Sequence, residues 1–276
     1  MVNAESLEQS IRAIPNQWTT DAIISPDFAV GLGTRSASYL LPYPHIHGQP
    51  VIRVIQSGHD HAVDAQFILP LIRQYYKQGT TFFLEGAYTA SSNNIEDQLQ
   101  FLDLEEDAKK EIACSQALWK KKKFEGPFGA ADKIWQELGG VVVNPDLRGS
   151  IAPEIIDFLI NNTSPARTVE FLYQSLYYLN LSHQTRREVL RKALPLPMRE
   201  IETSLEKLAD IYADSKSLTL SLCSQNAIAW VDNLREKYMR AFLNKRLTKG
   251  DILLAHFNHV RRIISGKTYE EDQKMS

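Results

Sequence analysis

The β-branched run Val51-Ile52-Arg53-Val54-Ile55 is followed by Ser57-Gly58, a helix-length stretch from about Ala62 to Lys77, Gly79, and a second strand-like run, Thr80-Thr81-Phe82-Phe83-Leu84. Strand, a helix of roughly four to five turns, and strand make a βαβ unit. Such a crossover carries two strands in the same direction, so the spacing predicts two parallel neighbours. Pro70 falls inside the intervening helix, where the missing N–H predicts a kink.

Other strands are legible around this unit. Ser38-Tyr39-Leu40-Leu41 precedes the turn-rich segment Pro44-His45-Ile46-His47-Gly48, which suggests a hairpin with the Val51 run. Gly139-Gly140-Val141-Val142-Val143 reads as a short buried strand closed by Asn144-Pro145-Asp146, and Ile252-Leu253-Leu254-Ala255 as the last strand. Asn94 to Phe124 is a charged amphipathic helical stretch. From Ile151 to Leu247 the pattern is helical, broken at Pro165 and at Leu194-Pro195-Leu196-Pro197. The expected fold is therefore α/β: a mixed, largely parallel sheet flanked by helices, with a large helical insertion before the last strand. We expect one α/β domain over residues 1–276, with 151–247 as a helical insertion subdomain.

Composition narrows the functional classes. Of 276 residues, 43% are hydrophobic and 23% charged, enough apolar surface for a real core. Lys+Arg 31 against Asp+Glu 33 leaves a net charge of −2, without the basic excess of a nucleic-acid or anionic-membrane binder. Cys114 and Cys223 lie far apart, which excludes a thiolate zinc site and a disulfide framework. No apolar run approaches the roughly 20 residues of a membrane span. Met1-Val2-Asn3-Ala4-Glu5 is acidic where an export signal is basic, so the expected location is the cytoplasm, with secretion lacking a cleavable signal left open.

Six of the seven histidines fall in close groups: His45 with His47, His59 with His61, His256 with His259. Position matters more than number. His59 and His61 follow the first strand of the βαβ unit, and Glu85 ends the second. Asp146 and Arg148 follow Val141–Val143, while His256 and His259 follow Ile252–Ala255. Four strands thus end in ionisable residues at one carboxyl-terminal edge, where the loops of a parallel sheet open into a ligand crevice. The inference requires all four strands to be parallel.

Within Gly58-His59-Asp60-His61, Gly58 leaves room for a close approach, Asp60 is placed to cap the helix, and His61 sits at its positive amino end, which favours a neutral, ligating imidazole. The bland reading is a polar loop. Glu85 follows four buried-looking residues and needs a cation, a metal or a raised pKa. Arg148 or Arg235 could supply a structural ion pair. Arg235 interrupts the apolar stripe Ile228, Val231, Tyr238 and Phe242, so its guanidinium either snorkels to solvent or reaches the crevice. No G-x-S-x-G elbow occurs, and Gly31-Leu32-Gly33 lacks the rest of a dinucleotide fingerprint.

Gly58-x-x-His61 after a strand, Glu85 ending the next, Gly139-Gly140-Val141-Val142-Val143-Asn144-Pro145-Asp146-x-Arg148, Leu234-Arg235-Glu236-Lys237-Tyr238-Met239, and a last strand with His259 together resemble the TIKI/TraB superfamily. That group takes in the erythromycin-esterase and haem-uptake ChaN branches. The resemblance spans the order and spacing of motifs from about Val51 to Ile264. It implies an α/β fold with a helical insertion and a pocket of two G-x-x-H motifs, a glutamate and arginines. Carried over, these are Gly58 and His61, Glu85, His259, the Asp146–Arg148 pair and Arg235. The second motif departs from the family, because His256 stands where glycine is expected.

The implied activities differ by branch, and a shared fold does not choose among them. In the hydrolase version, His61, Glu85 and His259 hold a divalent metal (Zn²⁺, Mn²⁺ or Co²⁺), with His59 or His256 as further ligands. Water then attacks an amide or ester carbonyl of a small-molecule or peptide substrate while Arg235 or Arg148 steadies the oxyanion. A metal-free variant uses His61 as general base. The alternatives are a haem or other small-ligand binding protein, with one of these histidines and Tyr88 as axial donors, and a non-catalytic regulatory protein that meets a protein partner through the helical insertion.

Overall fold

The computed structural model describes residues 37–42, 51–57, 61–85, 98–99, 102–123, 127–147, 150–177, 181–213, 225–248, 250–256, 259, 262–263 and 271. In chain order the elements are β1 (Ala37–Pro42), β2 (Val51–Ser57), α1 (His61–Tyr75), β3 (Thr81–Leu84), α2 (Glu106–Lys123), α3 (Pro127–Glu137) and β4 (Val141–Val143). Then come α4 (Pro153–Asn162), α5 (Pro165–Tyr177), α6 (His183–Ala193), α7 (Met198–Ala213), α8 (Gln225–Arg246) and β5 (Ile252–His256). The chain divides into two compact units. A sheet unit comprises Met1–Ser92, Lys122–Asp146 and Glu236–Ser276, and a helical unit comprises Asn93–Lys121 and Leu147–Arg235. The helical unit thus draws on residues 93–121 as well as on the stretch that follows β4.

The sheet has five strands in the order β1-β2-β5-β3-β4. β1 pairs antiparallel with β2, and the expected turn between them lies outside the described residues. β2, β5, β3 and β4 are all parallel, the condition on which the shared strand edge depends. One expectation is corrected: β2 and β3 are not neighbours, because β5 lies between them. The reason is in the residues. Ile252 to Ala255 is buried throughout, and a continuous apolar run is stable only where both faces and both edges are covered.

Side chains alternate across the sheet. Phe82, Leu84, Val142, Ile252 and Leu254 share one core with Ile68, Leu71 and Ile72 of α1 and Ala131, Ile134 and Trp135 of α3. Phe83, between two of those residues on β3, meets the Phe242 ring of α8 with centroids 6.4 Å apart. The sheet is therefore flanked by α1 and α3 on one face and contacted by α8 from the other. Helix α1 continues through Pro70, whose side chain is exposed.

Helix α3 has no counterpart in the expectations. Pro127 opens it at a position where a missing N–H costs nothing. Gly139, at φ 82°, closes it in a Schellman arrangement, with Gly139 N donating to Gln136 O and Gly140 N to Trp135 O. The start of β5 is anchored by buried Asp251, whose carboxylate accepts from Thr81 N at 2.8 Å and from Thr248 N at 2.7 Å.

The helical unit packs α5 against α4, α6 and α7. Leu159, Val169, Leu172, Leu176, Val189 and Leu205 form its inaccessible interior. Its breaks fall where proline predicts them: α5 begins at Pro165, and α6 and α7 are separated by the Leu194–Pro197 segment. Ser182 caps α6 by accepting from Thr185 N, and Glu111 of α2 accepts in turn from the Ser182 hydroxyl at 2.8 Å. No helix among the described residues is long and apolar enough to cross a membrane.

Candidate functional site

The carboxyl ends of the parallel strands bring one group of side chains together within the sheet unit. Glu85 is the first residue after β3. Its backbone N–H donates to Leu254 O at 2.9 Å, extending the β3–β5 ladder by one bond. Its side chain then turns back, and Oε2 accepts from His256 N at 2.6 Å. Backbone donors of this kind fix a carboxylate more firmly than a mobile side chain would. With Oε2 so held, Oε1 lies 3.4 Å from Nε2 of His259.

The other ring nitrogen of His259 is also engaged. Nδ1 lies 2.8 Å from Glu236 Oε1. The same oxygen accepts from Arg262 Nε at 2.7 Å and lies 2.6 Å from Arg262 Nη2. Glu85 and His259 are 7% and 6% exposed, while Glu236 and Arg262 are each 1% exposed. Meeting one another offsets part of the cost of taking these groups out of water. The His256 ring stands 6.1 Å from that of His259, centroid to centroid, at 66°.

Of the residues expected at the site, Glu85, His256 and His259 are brought together. His256 is the final residue of β5 rather than the first beyond it, and its backbone N–H, not only its ring, belongs to the site. The sequence expectation set Glu85 beside the end of β2. The structure sets it beside the end of β5, because β5 occupies the position next to β3. His61 is the first residue of α1, four residues past the end of β2, and its side chain lies outside the described residues. His59, Tyr88 and Arg148 also lie outside them. Asp146 is buried just after β4, its N–H donating to Asn144 Oδ1 at 2.9 Å. Arg235 belongs to the helical unit. It is 2% exposed and ion-paired with Asp232 at 3.3 Å, so the guanidinium does not snorkel to solvent.

Two participants escaped the sequence reading. Glu236 is overshadowed by its neighbour Arg235, which interrupts a visible apolar stripe. A second stripe carried the signal: Glu236 is three and seven residues from Met239 and Leu243, both fully buried. Arg262 lies three residues beyond His259, and only the partner carboxylate reveals its role.

The donor set suits a cation. One imidazole nitrogen and one carboxylate oxygen converge, both on side chains fixed by further bonds. Two ligands of a tetrahedral zinc ion, each about 2.0–2.1 Å from the metal, stand about 3.3 Å apart. The 3.4 Å between His259 Nε2 and Glu85 Oε1 fits that separation and exceeds the usual length of a direct hydrogen bond. Glu236 fits the role of a ligand less well, since Arg262 already supplies its counter-charge. Comparison with protein-family models, with curated proteins and with solved structures finds no match.

Proposed function

We propose that the chain is a hydrolase that directs water at an amide or ester carbonyl of a small-molecule or peptide substrate, with Glu85 and His259 holding a divalent cation. The observation that carries this reading is the 3.4 Å approach of His259 Nε2 to Glu85 Oε1 between two otherwise fixed side chains. The TIKI/TraB-like order of motifs supports it. His61, at the exit from the neighbouring β2, and His256, at the end of β5, are the further candidate ligands, since β2 and β5 end in register at Ser57 and His256.

A divalent cation bound there supplies Lewis acidity and lowers the pKa of bound water. The chain's own residues hold the geometry. The His256 N–H orients the Glu85 carboxylate so that one oxygen is committed and the other faces His259. Burial of both side chains keeps the centre poor in water, which strengthens every electrostatic interaction made there.

Replacing Glu85 with Gln tests the reading. The amide keeps the shape and can still accept from His256 N, so the fold is expected to survive, with an unchanged circular dichroism spectrum. Elemental analysis after dialysis against Zn²⁺ should find one ion per wild-type chain and a marked loss in Glu85→Gln, together with loss of ester turnover. Equal metal content and equal turnover in the two proteins would refute the reading.

A further inference from the structure

Glu236 and Arg262 are buried deeper than the pair they adjoin. Their bonds have a specific consequence. A carboxylate only accepts, so the 2.8 Å contact between His259 Nδ1 and Glu236 Oε1 requires the proton to be on Nδ1. Arg262 donates to the same oxygen and holds the Glu236 carboxylate in place. Glu236 Oε2 is buried with no hydrogen-bond partner among the described residues, so the whole arrangement converges on Oε1.

We propose that Glu236, held by Arg262, is a positioning residue that keeps His259 protonated at Nδ1 and its Nε2 directed at Glu85. The residues form a chain, Arg262 to Glu236 to His259 to Glu85, with bonds or close approaches of 2.7, 2.8 and 3.4 Å. Histidines that ligate metals commonly give their second N–H to a carboxylate, which fixes the tautomer and the ring plane. The consequence for Zn²⁺ rests on the proposed cation at Glu85 and His259. The consequence for the ring proton does not.

The experiment therefore has two readouts on the full chain. Proton–nitrogen NMR of ¹⁵N-histidine-labelled, metal-free protein should show a proton on His259 Nδ1, assigned by its loss in His259→Asn. Calorimetric titration then gives the Zn²⁺ affinity. Glu236→Leu alone would take a carboxylate from a buried guanidinium and risks unfolding, so Glu236→Leu/Arg262→Met removes both charges together. That double variant should lose the Nδ1 proton and bind Zn²⁺ about 10–100-fold more weakly. Glu236→Gln is the rescue: its amide oxygen can replace Oε1, so the Nδ1 proton should remain, with Zn²⁺ affinity nearer to wild type. A wild-type ring protonated only at Nε2 overturns the proposal. So does a double variant with unchanged Nδ1 protonation or unchanged Zn²⁺ affinity. A wild type that carries the Nδ1 proton but takes up no Zn²⁺ supports the positioning role and refutes the cation reading instead.

Discussion

Single residues in the sheet unit are held by fit rather than by chemical type. A methyl group at Gly140 would lie 2.2 Å from Trp135 Nε1, and that indole is fully buried with Tyr76 and Phe82 against it at 4.9 and 5.1 Å between ring centroids. The ring has nowhere to move. Gly140→Ala is therefore expected to cost about 3 kcal/mol, the upper end of ordinary overpacking. Urea unfolding should show a lower midpoint at an unchanged slope; an unchanged midpoint would show that the α3–β4 corner relaxes freely. The site was legible residue by residue only in part. Glu85 and His259 stand out because an ionisable group directly after an apolar strand has few explanations. Glu236 does not stand out, because its neighbour Arg235 breaks the more visible stripe, and both prove to be buried.

Elements explain what residues cannot. The strands, their common direction and most helix boundaries follow from β-branched runs and from proline and glycine positions. The order of strands does not, because nothing local records that Ile252–His256 enters between strands separated from it by well over a hundred residues. That insertion sets the site, since it puts the backbone of His256 next to Glu85. In the helical unit, α6 and α7 are tied by Glu202, which accepts from Arg191 Nη2 and Arg187 Nη2, each at 2.9 Å. The hydrogen bond from Arg191, followed by that from Arg187, outweighs burial and lowers the Glu202 pKa from its ordinary 4.5 to about 2. A depressed carboxylate stabilises the folded form above its unfolded pKa and loses that contribution as pH falls through the folded value. Stability should thus decline between about pH 4.5 and 2, and Glu202→Gln should flatten this part of the profile. The pair is partly exposed, so the difference at neutral pH is expected to stay near 1 kcal/mol or below. Thermal melts at stepped pH check it; an identical slope in the variant would remove Glu202 as the cause.

The whole molecule combines a sheet unit that gathers acidic and imidazole side chains with a helical unit built from α2, α4 to α7 and the first part of α8. The chemistry argued above needs only the sheet unit: Glu85, Glu236, His256, His259 and Arg262 all belong to it. The most direct test is a crystal structure of the Zn²⁺-soaked protein with an anomalous difference map recorded at the zinc edge. The account predicts a peak about 2.0–2.2 Å from both His259 Nε2 and Glu85 Oε1. A map with no peak there, or with zinc bound only elsewhere, would contradict it.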